Sequence, residues 1–186
     1  MSSTAPSAEA IKTLIQHAFA DTPYPGDDAL VRSAGDEPDE VVDLFRGRND
    51  WRRLSAEFVD RAGAASPSAL SFFSAGAFRF YLPAYLIADL ERKLMYTDPL
   101  FYLYFGLDQE TRTRSVHVPG RGATTWWAVQ QEHFAGFTRG EAAAIVAYLR
   151  WRTVQDEPEF SRRSVQEALE SYWLPKAGAE NEGEGV

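Results

Sequence analysis

Few side chains in this chain of 186 residues are of a type and spacing that could do chemistry. Two adjacent carboxylates, Asp27 and Asp28, close the segment "TPYPGDD". An irregular calcium or magnesium site could use them, yet "DDALVRSAGDEPDE" has neither the alternation nor the order of an EF-hand. Their plainer role is to hydrogen-bond the backbone of their own turn. His17, His117 and His133 are the only histidines and there is no cysteine, which rules out thiolate sites and cysteine nucleophiles. No HExxH spacing occurs, and His133 beside Glu132 on a helix would point in a different direction. Ser74 lies in "SAGAF", without the glycine that precedes a nucleophile-elbow serine. "SVHVPGRGATTWW" could cradle an anion at amides near Thr124 and Thr125 with help from Arg121. It lacks the Gly-Lys-Ser/Thr ending of a phosphate loop, so a plain connection is the simpler reading.

One charge stands out by position. Arg79 is embedded in "FRFYLPAYL", Phe78 to Leu86, with Tyr81 and Tyr85 beside it. If buried it requires a carboxylate, and Asp27 or Asp28 are the candidates. Residues Asp27, Asp28, Arg79, Tyr81 and Tyr85 are therefore the candidate binding set. No residue is assigned a catalytic or metal-ligating role, and no cofactor is expected.

The elements that must position these residues are mostly helical. In "SAEAIKTLIQHAFA", Ile11, Leu14, Ile15, Ala18 and Phe19 form an apolar stripe after a Ser7 cap, with His17 off it. A turn follows, then a short extended piece, then a helix from about Pro38 capped by Asp36 and closed by Gly47. "NDWRRLSAEFVDRAG" reads as one helix capped by Asn49 or Asp50 and stopped by Gly63. Ser66 and Pro67 suggest another short start, presenting Leu70 and Phe73. From a Ser74 cap, Phe78, Leu82, Tyr85 or Leu86, Leu90 and Leu94 mark a central helix. Pro83 should kink or break it, since it cannot donate to the carbonyl of Arg79. The run Phe101–Phe105 suits a helix or a strand equally, and a brief strand is expected at Val116–Val118. A helix should begin near Thr125. Thr138 and Glu141 form a capping box after Phe137. A last helix, "SVQEALESYW", should stop at Pro175.

Charge and composition bound the function. The chain carries a net charge of −8, and residues 1–45 hold nine acidic against two basic side chains. Attraction to nucleic acid or to an anionic membrane is disfavoured. No stretch approaches the length of a spanning helix, and the first twenty residues do not resemble a signal peptide. A cytoplasmic location is expected.

The segments Tyr24–Asp28 (YPGDD), Tyr81–Leu86 (YLPAYL) and Phe134–Thr138 (FxxFT), with Trp51 between them, resemble an uncharacterised bacterial family of the domain-of-unknown-function kind. The resemblance covers roughly residues 10 to 152 and implies no activity.

The expectation is a mainly α, compact single-domain helical fold of about six helices over 1–176, with a flexible acidic tail at 177–186. At most a small strand pair would form, from segments near Ala29–Val31, Phe101–Phe105 and Val116–Val118. Missing catalytic motifs favour a noncatalytic binding protein whose acidic N-terminal third meets a protein partner with a basic surface, in the manner of immunity proteins or antitoxins. The alternative is a small-molecule- or metal-dependent enzyme with a site between the YPGDD loop and the Pro83 kink.

Overall fold

Caps and prolines largely explain where the chain becomes helical. The computed structural model describes residues 6–62, 68–155 and 158–178. The architecture is mainly α, with one two-stranded sheet. Residues Lys12–Tyr102 form one compact unit, and Leu103 onward, with the start of the first helix up to Ile11, forms another.

The first unit begins within α1 (Ala8–Ala18), where the Ser7 hydroxyl accepts from the amide of Ala10. Ile15 and Phe19 are buried, as is Ile11, but Leu14 is exposed. The stripe is thus narrower than its spacing suggests. After a 3-10 turn at Asp27–Ala29, Val31 makes a single antiparallel bridge with Phe73. Helix α2 (Asp36–Phe45) starts at Asp36 with Gly35 in the capping position, two residues earlier than Pro38 suggests. The segment expected as one helix from Asp50 divides in two. Asp50 caps only a 3-10 turn at Trp51–Arg53, and Ser55, accepting from the amide of Phe58, starts α3 (Ala56–Arg61). A second good cap five residues after the first lets the chain turn between them. The expected stop at Gly63 and start at Ser66–Pro67 lie outside the described residues. A 3-10 turn at Ala69–Ser71, capped by Ser68, does bury Leu70.

Helix α4 (Ala75–Leu90) is capped by Ser74, whose hydroxyl accepts from the amide of Ala77. Pro83 lies inside it and does not break it. Phe78, Phe80, Tyr81, Leu82, Pro83, Tyr85 and Leu86 are all buried, so the helix is apolar on every side, as a core helix is. Packing on that scale offsets the roughly 3 kcal/mol that an interior proline costs. The helix ends four residues short of Leu94. Arg92 takes the left-handed conformation (φ 54°), and Lys93 donates to the carbonyl of Ala88 at 2.9 Å. This is a Schellman closure without its usual glycine. Asp98 then accepts from the amide of Leu100 at 3.0 Å and opens α5 (Pro99–Tyr104). The run Phe101–Phe105 is therefore helical over most of its length, not a strand.

In the second unit, β1 (Ser115–Val118) pairs antiparallel with β2 (Gly122–Thr125), Ser115 opposite Thr125 and Val118 opposite Gly122. The strand at Val116–Val118 thus finds its partner across the glycine-bearing loop beside it. A local hairpin closes at less entropic cost than pairing with Ala29–Val31 or Phe101–Phe105. Thr125 caps α6 (Trp126–His133), and the Thr138–Glu141 capping box opens α7 (Arg139–Thr153). Helix α8 (Glu159–Ala168) begins before the expected "SVQEALESYW". It runs through a π turn (Leu169–Trp173) into α9 (Leu174–Ala177). Pro175 therefore does not stop it. At the second position of α9 its missing amide costs little, and Gly178 ends the run (φ 67°). The indole N–H of the buried Trp173 donates to the carbonyl of Leu103 at 2.8 Å, and Phe134 packs on the ring at 4.9 Å. The acidic tail from residue 179 lies beyond the described residues.

Candidate functional site

The YPGDD loop does meet α4, as the candidate set requires. Tyr24 lies edge-on to Phe80 with centroids 5.2 Å apart. Pro25 sits so close to Gly76 that a Cβ there would be 3.3 Å from its own Cβ. The Tyr24 hydroxyl donates to Asp27, whose Oδ1 also accepts the amide of Gly47 at 2.7 Å. Tyr81 donates to the carbonyl of Arg48 at 2.9 Å and packs against Phe45 (4.8 Å) and Phe73 (5.1 Å). Together these contacts pin the end of α2 to the centre of the unit.

The electrostatics follow from that geometry. The Gly47 amide, then the Tyr24 hydroxyl, hold the Asp27 carboxyl below the usual carboxylate range. Tyr24 is pushed up to about 12 by burial, with its bond to Asp27 adding to the rise. Burial also raises Tyr81 and Tyr85. These shifts lead away from acid–base work near neutrality, where a catalytic group needs its pKa close to the working pH. Asp27 anchors a turn, while Tyr81 and Tyr85 belong to the core. Asp28 is exposed and does not join the cluster, and Arg79 is half-buried on α4. Asp27 commits its carboxylate to Tyr24 and Gly47.

Two other carboxylates act as backbone anchors without having been foreseen. Buried Asp60 accepts the consecutive amides of Met95, Tyr96 and Thr97 at 2.9 to 3.1 Å. Buried Asp108 accepts those of Glu110 and Thr111, each at 3.0 Å. The sequence signal was faint in both cases, since aspartates occur throughout the chain. At the start of α6, where an anion cradle is the less simple reading of the sequence, the amides are bonded within the chain. Thr125 takes the amide of Ala128, the amides of Trp126 and Trp127 bond to the carbonyls of Arg114 and Arg112, and Arg121 pairs with Glu132.

Two surface features remain. Helix α2 exposes Asp36, Glu37, Asp39, Glu40 and Asp43 and contains no basic residue. The second is an open groove of about 780 Å³ within the unit Lys12–Tyr102. Lys12 and Gln16 of α1 face it, with Ala20 just beyond that helix, as do Ala84, Ile87 and Ala88 of α4 and Glu91 at its C-cap, while Trp51, Arg52, Leu54, Ser55 and Ala56 close the side. Glu91 is bonded by both Lys12 and Lys93, and these two ammonium groups hold its carboxyl below the usual range. The Arg52 guanidinium lies 4.6 Å over the Trp51 ring and donates to the carbonyl of Ala20 at 2.8 Å. Among the described residues, no three His, Asp or Glu side chains are grouped so as to hold a metal ion. Nor is any described helix long and apolar enough to cross a membrane.

These features define a mainly helical protein with an anchored acidic helix and, among the described residues, a substantial groove. The chain belongs to DUF6714, a family of unknown function, whose model matches residues 7–177 and so takes in the last helix as well. No curated protein and no solved structure matches it.

Proposed function

We propose that the protein is a noncatalytic binding protein that engages a protein partner with a basic surface through the exposed face of α2. The observation that carries this reading is the combination of charge and anchorage on one helix. Five exposed carboxylates lie within ten residues, with no cation among them. The end of the same helix is held by the Asp27–Gly47 and Tyr81–Arg48 bonds. A fixed acidic face steers a cationic partner and loses little freedom on binding. Masking a basic site, as immunity proteins and antitoxins do, is the form of binding such a face suits.

Affinity purification from the native host tests this, comparing the wild-type chain with Asp39→Lys/Glu40→Lys/Asp43→Lys. The expected result is one basic protein retained by the wild type and lost with the variant and at high salt. Equal retention by both chains would refute the reading, and so would recovery of no stable partner at native levels.

A further inference from the structure

The groove of the unit Lys12–Tyr102 has a different character from the surface around it. In a chain of net charge −8, it is lined by three cations, Lys12, Arg52 and Lys93, against the single carboxylate of Glu91. Between these charges run the Trp51 ring and the small or aliphatic side chains of Ala84, Ile87 and Ala88. Its volume of about 780 Å³ falls within the range of small-molecule sites. Every lining residue comes from one unit, and α1, α4 and the segment around Trp51–Ala56 form the walls.

From this geometry we infer that the groove binds an amphiphilic anion, an apolar body carrying one carboxylate or phosphate head. The body lies along Ile87, Ala88 and Trp51. The head meets the ammonium groups of Lys12 and Lys93, which Glu91 also binds, and the guanidinium of Arg52, which pairs with Asp50 at 3.7 Å. Small side chains at Ala84 and Ala88 give the body room to approach the α4 backbone. The cations are already held in place, Lys12 and Lys93 by Glu91 and Arg52 by the Ala20 carbonyl, so little ordering is required when the anion arrives. This inference does not depend on the acidic face of α2.

The test uses the full chain and three probes sharing a ten-carbon body: decanoate, decyl phosphate and decyltrimethylammonium, each below its micellar concentration. Two-dimensional amide NMR reads the binding. The inference predicts saturable one-to-one binding of at least one anionic probe, with shifts centred on residues 12–20, 51–56 and 84–93. The relative affinities of decanoate and decyl phosphate identify the head. Lys93→Glu, a change at a largely exposed side chain, should weaken binding about tenfold or more. Equal or tighter binding of the cationic probe to the wild-type chain overturns the inference without relying on any variant. Shifts scattered over the surface, or none, also overturn it.

Discussion

Asp60 shows how much one side chain can organise. Its carboxylate receives three consecutive amides, and its own carbonyl accepts the hydroxyl of Thr97. The loop after α4 is thereby fixed, while Met95 and Tyr96 remain exposed at its tip. Removing the carboxylate leaves these amides to find other partners inside a largely buried site. Asp60→Ala should therefore cost about 3 kcal/mol in urea unfolding. Asp60→Asn should cost about half as much, because one oxygen, Oδ1, carries bonds to all three amides. Equal costs for the two variants would contradict this account. Asp27 teaches the same lesson at the candidate site. Its place in a turn was legible from "YPGDD", but its bond to Gly47, twenty residues away, was not.

Elements were legible wherever a cap and an apolar period agreed. Helices α1, α4, α6 and α7 start at Ser7, Ser74, Thr125 and Thr138, each of which accepts an amide of the first turn. The departures come where two signals compete, as at Asp50 and Ser55, or where packing overrides a breaker, as at Pro83. Close approaches between elements leave no such local mark. Gly106 (φ 81°) is one of them, since a Cβ there would lie 2.7 Å from Cγ of Gln130 on α6. Gln130 in turn donates to the carbonyl of Phe105 at 2.8 Å. Gly106→Ala thus combines left-handed strain with a clash that displaces this side chain. It should lower stability by about 1 to 2 kcal/mol, seen as a drop in Tm without a change in the helical signal.

For the whole molecule, the buried and half-buried tyrosines set the response to alkali. Tyr24 and Tyr172 are both raised from 10.0 to about 12, and burial raises Tyr81 and Tyr85 as well. A folded-state pKa above the unfolded value means that the unfolded chain loses its protons first. Stability should be level with respect to these groups below pH 10 and fall as pH rises through about 12. Tyrosinate absorbance and circular dichroism should then change together. Ionisation of most tyrosines near pH 10 with the helical signal intact would contradict the burial argument.

The sequence by itself determined that the chain is mainly helical, where α1, α4, α6 and α7 begin, that its acidic excess is local, and, Leu14 apart, the buried face of the first helix. Those properties follow from caps, apolar period and composition, all of which act within a few residues. Only the tertiary structure decided that Asp27 and Tyr81 anchor the end of α2. It alone revealed that Asp60 organises a loop 35 residues away, and that Lys12, Arg52 and Lys93 line one groove. Hydrogen bonds and charges that meet across long stretches of chain depend on how helices pack, and side-chain spacing along the chain carries no record of that.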